Sequence, residues 1–297
     1  MQRISKEPRI AVIVLDFGRP DLTNRCISGF QSDHSIAIYI VENGSSDASL
    51  FNNGPNIRFL KNERNLGFAG GMNVGIRAAI RDGNEFIVLL NNDTCLTPIS
   101  ILQLVLTLQL NERAAVAIPN VSYSTGLLNG GGVSEPVLSS ENPDIVGPHP
   151  IFREVSSITG FCMAFKSNVL MRLGLLDEDF FFTYEDDEIG LRIQKYGYTL
   201  METLSSAVLH SIGSSIGKHK GQDYRFLIYH RARGSMILSR KYGMAKSRLV
   251  LKSIYETLRL FVKSIITTHE VRISLICYCI SGLRDGQRLK IHSPPKL

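Results

Sequence analysis

IAVIVLDFGRPDLTNRCISGFQSDHSIAIYIVENGSSD, residues 10–47, holds two short apolar runs, Ile10 to Leu15 and Ile36 to Val41, both rich in Ile and Val and almost unbroken. Runs of that kind are strands covered on both faces, as in a parallel sheet. The segment between them, Pro20 to Phe30, places Pro at a first helical turn and predicts a crossover helix, so the chain opens with a βαβ unit. Outward from this unit the theme repeats. Ile57 to Leu60 predicts a strand, Gly67 to Arg81 a helix, Phe86 to Leu90 a strand, Ser100 to Leu110 a helix and Ala114 to Ile118 a strand. The expectation is an α/β fold, a Rossmann-like, mostly parallel open sheet flanked by helices. Such sheets bind ligands beyond the carboxyl ends of their strands, which directs attention to the residues that follow each strand.

Val121 to Pro150 breaks the pattern with Gly130, Gly131, Gly132 and four prolines, and reads as an irregular excursion or hairpins. A mixed strand over Ile158 to Phe165 follows, then an acidic knot around Glu185, a helix to Tyr196 and a strand ending near His210. From Asp223 to Leu283 the pattern is helical and basic. The 297 residues accommodate one large α/β domain with an appendage, or two small domains, and 44% hydrophobic with 20% charged residues excludes collagen-like and disordered classes. Five cysteines, an odd number without a C-x-x-C pair, point away from a zinc ribbon or a disulfide framework and toward a reducing cytoplasm.

Charge divides the chain in two. Residues 1–217 hold 16 Lys and Arg against 23 Asp and Glu, whereas residues 218–297 hold 17 against 4. We therefore expect an acidic domain over 1–217 and a basic helical region over 218–297, suited to an anionic membrane surface or a polyanionic substrate, or else presenting a solvated basic face. A nucleic-acid partner is not expected, because the basic region lacks interleaved aromatic platforms and groove-reading motifs. Met1 to Arg9 is too polar for a secretory signal, and Ile273 to Leu283 is about half of a bilayer crossing.

Five stretches carry chemistry. Val41 to Asp47 follows a strand with Glu42, Asn43, glycine and hydroxyls, a set that can hydrogen-bond a base or ribose, and also a set that makes a plain strand-to-helix turn with an N-cap. Asn62 to Asn73 leads three glycines and two asparagines, Asn65 and Asn73, into a helix; Gly67, Gly70 and Gly71 suit phosphate or sugar approach, or close helix-to-sheet packing. It is neither a Walker loop nor a dinucleotide fingerprint. Leu90-Asn91-Asn92-Asp93-Thr94 releases a carboxylate from a buried strand, as needed by a divalent cation bound to a diphosphate, or as used by a plain helix cap. Leu176 to Glu188 crowds carboxylates beside three adjacent Phe residues, and such crowding raises pKa values unless cations or hydrogen bonds relieve it. Finally, His210 ends a strand before a Gly/Ser loop and can complete a metal site with a neighbouring carboxylate.

Taken in order, VENGSSD (41–47), N-x-GFAGG-x-N (65–73), LNNDT (90–94), TGF (159–161) with LLDEDFFFTYEDDEIGLR (175–192), and His210 with Gly213 and Ser214 resemble the family 2 glycosyltransferases, in particular their bacterial rhamnosyltransferase-like branch. The likeness runs from about Arg9 to Tyr242. It implies a GT-A fold with a helical basic C-terminal extension, inverting transfer from a nucleotide-diphospho-sugar (a dTDP- or UDP-sugar, with rhamnose or another deoxyhexose), and a divalent cation, Mn2+ or Mg2+. The implied acceptor is a polyprenyl-diphosphate-linked glycan in cell-surface polysaccharide synthesis, and the implied location is cytoplasmic, peripheral on the inner face of the plasma membrane. By position, Glu42 contacts the base, Asp93 ligates the metal with His210, and Asp186 is the general base with Glu185 as the alternative. Asn43, Asn65, Gly67, Gly71, Asn73 and Asn92 fall in the donor-binding stretches. Asp16 stands where relatives carry Tyr-Asn, so that it takes over a base contact or marks a different nucleotide preference; Glu42 stands where Asp is usual, a single acid, Asp93, where some relatives have more, and Gly234 where an Asn follows the arginine. Those departures leave room for a noncatalytic sugar-nucleotide-binding relative as the alternative.

Overall fold

A computed structural model describes residues 8–45, 47–123, 150–210, 222–245 and 274–297, with scattered helical positions between 247 and 262. The strands are β1 (Ile10–Asp16), β2 (Ile36–Glu42), β3 (Ile57–Lys61), β4 (Phe86–Asn91), β5 (Thr94–Cys95), β6 (Ala114–Tyr123), β7 (Phe152–Val155), β8 (Cys162–Lys166) and β9 (Thr199–His210). They form one nine-stranded sheet in the order β3-β2-β1-β4-β8-β6-β9-β5, with β7 on β9. Strands β1 to β4, β6 and β9 run one way, while β5, β7 and β8 oppose them.

The helices are α1 (Pro20–Ser28), α2 (Gly67–Arg81), α3 (Pro98–Leu110), α4 (Ser167–Leu173), α5 (Glu185–Lys195), α6 (Gln222–Tyr242) and α7 (Ser274–Arg288). Because strand side chains alternate in direction, β1 sends Ile10, Val12 and Val14 to one face and Ala11 and Ile13 to the other. The first set packs with Ile27 of α1 and Leu104 of α3; the second with Met72 of α2, Leu170 of α4 and Ile189 of α5. Both faces of the central strands are dry, which explains their unbroken apolar runs. Helix α2 lies close on β1: a Cβ added at Gly75 would stand 2.4 Å from Cγ2 of Ile13.

Some expectations shift. The strand read over Ile158 to Phe165 is β8, beginning at Cys162, and α3 starts at Pro98 with the Thr97 hydroxyl accepting the N–H of Ser100 at 3.2 Å. The Gly/Pro-rich excursion contributes Val121 to Tyr123 to β6; residues 124–149 lie outside the described residues, as does the Gly/Ser loop after His210. The boundary expected at 217 falls in that same segment. Beyond it, the basic region docks on the acidic knot. Lys241 of α6 bridges Asp177 and Asp179, and the Tyr242 hydroxyl donates to Glu188 at 2.7 Å. The last residues join in: Leu175 donates its N–H to the Pro295 carbonyl at 2.9 Å, and His292 donates its N–H to Asp179 at 2.8 Å. Among the described residues no helix is long and apolar enough to cross a membrane.

Candidate active site

Parallel register delivers the site. Asp16 and Glu42 are Cα partners at the ends of β1 and β2, and Leu15 faces Asn91 at the end of β4. Asp93 follows directly, buried, and Thr94 pairs with His210, the last residue of β9. The strand-end residues singled out above therefore share one edge of the sheet.

Glu42 is fully buried, and its carboxylate accepts both the N–H and the hydroxyl of Ser45. It pins the turn that opens a hollow of about 280 Å³ lined by Gly44, Ser45, Lys61, Asn62 and Glu63. Beyond the turn Asp47 accepts the N–H of Ser49 at 3.0 Å, so the capping role foreseen for this loop belongs to that residue. Asn43 has its side chain turned into the fold: it donates to Asn65 and Gly67 and accepts from Asn62 and Leu66, all within 3.1 Å. Asn65 in turn accepts the N–H of Gly67 at 2.8 Å. Gly67 is needed twice over, because its φ is +76° and an added Cβ would lie 2.5 Å from the Phe181 carbonyl. At Gly71 a Cβ would stand 2.5 Å from Leu15, a packing requirement. Asn73 joins α2 to the acidic knot, exchanging hydrogen bonds with the backbone of Leu176 at 2.9 and 3.0 Å and donating to Glu178. Asp16 accepts from the Thr23 hydroxyl at 2.6 Å and from Asn92 at 3.3 Å, a buried brace between β1 and the loop that carries Asp93. Thus Asp93 lies buried just past the strand end, whereas Glu42, Asn43, Asn73, Asp16 and Asn92 hold the loops in place.

The acidic knot sorts itself by partner. Asp177 and Asp179 meet Lys241, Glu178 meets Arg77 at 3.5 Å, and Glu188 forms a buried pair with Arg192 at 2.9 Å. Glu185 and Asp186, in the first turn of α5, make no ion pair among the described residues. Burial pushes both carboxyls above the usual carboxylate range, helped at Glu185 by the charge of Asp186 and at Asp186 by that of Asp187. Asp186 is aimed by hydrogen bonds from the N–H groups of Gly160, to Oδ2, and Asp187, to Oδ1, both at 2.9 Å. Next to Gly160, the Phe161 carbonyl accepts the N–H of Asn91 at 2.9 Å. Two backbone contacts therefore tie Asp186 to the strand end that releases Asp93. Asp186 also borders a cavity of about 170 Å³ with Ser156, Ser157, Tyr184 and Leu238.

Several features escaped the sequence. Thr183 and Tyr184, just before α5, have φ of +65° and +70°, a left-handed pair that costs on the order of 1–3 kcal/mol per residue. Gly234 of α6 explains how the pair is held: a Cβ there would lie 2.8 Å from Cδ2 of Tyr184. The Gly in place of Asn thus lets α6 press against the turn. His230 lies in an aromatic cluster, its ring centroid 5.2 Å from Phe181 and 4.3 Å from Phe226. Burial, with Arg233 nearby, lowers its pKa to about 4, so the ring is neutral at pH 7.

Among the described residues no three His, Cys, Asp or Glu side chains form a group that could hold a metal ion. The donor types at the end of β4 and β9 are one buried carboxylate and one histidine by backbone register. That set fits a divalent cation which takes its remaining ligands from a diphosphate and water.

A mixed sheet with this strand order and carboxylates at its open edge is the GT-A glycosyltransferase architecture. The chain belongs to glycosyl transferase family 2, whose model matches residues 5–174. It is 27% identical over 240 residues to the dTDP-rhamnosyl transferase RfbF of Shigella flexneri, covering 76% of each chain. It is 26% identical over 167 residues to the low-salt glycan biosynthesis hexosyltransferase Agl10 of Haloferax volcanii, covering 54% of each, so the match spans about half the length of that relative. Its fold is similar to the mannosyltransferase PcManGT from Pyrobaculum calidifontis, solved with GDP-Man and Mn2+, at a TM-score of 0.55 and 13% identity over 96% of this chain and 88% of that one.

Proposed function

We propose that the protein is an inverting glycosyltransferase that moves a deoxyhexose, rhamnose foremost, from a dTDP- or UDP-sugar to a polyprenyl-diphosphate-linked glycan at the cytoplasmic face of an anionic membrane. The observation that carries this reading is the Glu185 and Asp186 pair, which has no ion-pair partner among the described residues, with Asp186 hydrogen-bonded to Gly160, whose neighbour Phe161 holds the strand end that leads to Asp93. RfbF, a dTDP-rhamnosyl transferase, supports the donor class.

In this reading the nucleotide lies across the ends of β1 and β2, where the Glu42 turn opens its hollow. Asp186 takes the proton from the acceptor hydroxyl as that oxygen attacks the anomeric carbon opposite the leaving diphosphate, and no covalent enzyme intermediate is needed. The raised carboxyl pKa keeps the base close to working pH while it stays ionised enough to accept a proton. Asp93, with His210, would hold the Mn2+ or Mg2+, which when bound neutralises charge on the diphosphate. The strained Thr183 and Tyr184 turn and the Gly160 N–H fix the direction of Asp186. A panel of nucleotide sugars, scored by thermal unfolding with and without Mn2+, tests the donor: dTDP-rhamnose should raise the midpoint most, since a ligand of the native state stabilises it. No response to any nucleotide sugar would overturn the reading. Donor binding without turnover under any acceptor would favour the noncatalytic relative.

A further inference from the structure

Among the described helical positions between 247 and 262, two small polar side chains face inward and five large apolar ones face outward. Ser253 and Thr257 are turned inward, each 6% exposed, with the Ser253 hydroxyl 2.9 Å from that of Ser235 on α6 and Thr257 donating to the Ser253 carbonyl at 2.7 Å. Leu251, Ile254, Tyr255, Leu258 and Val262 are turned outward, at 65%, 42%, 67%, 51% and 52% exposure. Their spacing follows i, i+3, i+4, i+7 and i+11, one continuous stripe along a helix of 3.6 residues per turn. Small polar groups inside and large apolar groups outside mark a face meant for something other than water. The same stretch of sequence contributes Lys246, Arg248, Lys252, Arg259 and Lys263 against Glu256 alone.

We propose that this stripe inserts into the interfacial layer of an anionic bilayer, toward which the basic composition of the stretch draws it. An apolar face on a helix of basic sequence is the pattern of a helix that lies in a membrane surface. Anionic lipid is a better occupant than a second copy of this chain, because residues 218–297 hold 17 Lys and Arg against 4 Asp and Glu, and two such surfaces repel. The inference deepens the reading of a lipid-linked acceptor and rests on it for its purpose. It differs from attachment by charge alone in that the bound state is inserted and withstands salt.

The chain has no Trp, so a Tyr255→Trp variant of the full chain carries one indole on the stripe. With vesicles of phosphatidylcholine and about one third phosphatidylglycerol, its emission shifts to the blue and is quenched by brominated acyl chains, and both effects persist in about 0.5 M NaCl. A Leu251→Ser, Leu258→Ser, Val262→Ser variant partitions at least about tenfold less, because each lost apolar side chain weakens insertion. Its unfolding midpoint stays that of the parent, since these side chains are exposed. Three results overturn the proposal: an emission unmoved by vesicles, binding fully released by salt without quenching, or self-association in light scattering that the triple-serine variant abolishes. Nucleotide-sugar stabilisation of the same proteins reads the transferase assignment separately. Donor binding without vesicle insertion sinks the stripe alone, and insertion without donor binding sinks the enzyme alone.

Discussion

Gly160 donates its N–H to Oδ2 of Asp186 at 2.9 Å, and a Cβ at Gly160 would lie 3.3 Å from that same oxygen. The pair couples the loop just before β8 to the first turn of α5 with little room between them. Gly160→Ala should push the carboxylate by a few tenths of an ångström and lower kcat by about tenfold or more, because misplacing a reacting group is costly. Donor KM should hold within about twofold. A steady-state split of kcat from KM checks this, and a kcat equal to the parent's would show that the contact does not aim the base.

The Glu185 and Asp186 pair gives folding a defined pH dependence. Both carboxyls hold their protons more tightly in the native state than in the unfolded chain. Unfolding therefore releases protons, and stability falls as pH rises from the unfolded carboxylate range, about pH 4, through the raised native range. Glu185→Gln should remove part of that loss, so that the variant gains on the parent with rising pH and the two converge near pH 4. Thermal unfolding across pH 4 to about 9 measures it. The acid limb of kcat should likewise sit above the ordinary carboxylate range.

Lys241 is the cation that Asp177 and Asp179 of the acidic knot share. It is buried between Asp177 and Asp179, which are buried too. Lys241→Met strands two carboxylates away from water, and breaking a buried ion pair from one side costs about 3–5 kcal/mol. Urea unfolding should show a lower midpoint by that order. His292→Ala, which removes a largely exposed ring from Asp179, should change the midpoint far less.

Much of this molecule is legible in one dimension, for reasons that the coordinates make plain. Strands β1, β2 and β4 read correctly because both of their faces are dry, and α2 matches Gly67 to Arg81 at both ends. Other elements leave no such trace. β5 is two residues long, β7 carries exposed Arg153 and Glu154 between its apolar ends, and α4 begins directly where β8 stops, with no breaker. At the site, Glu42, Asp93 and His210 are marked by strand ends, and Asp186 by the crowding of carboxylates at the start of α5. The sorting of the acidic knot could not, since the partner of Asp177 lies 64 residues downstream. Nor could the left-handed turn, because Thr and Tyr are residue types that rarely adopt it. The stripe after Gly243 shows its period in the sequence, but only packing against Ser235 reveals that the polar side faces in.

The account stands on Asp186 as the group that takes the acceptor's proton. Nucleoside diphosphate release from the stabilising nucleotide sugar, measured with Mn2+ and acceptor for the parent and Asp186→Asn, tests this most directly. We expect turnover to fall by about 10²- to 10⁴-fold while donor stabilisation is kept. An Asp186→Asn protein that turns over at the parental rate would contradict it.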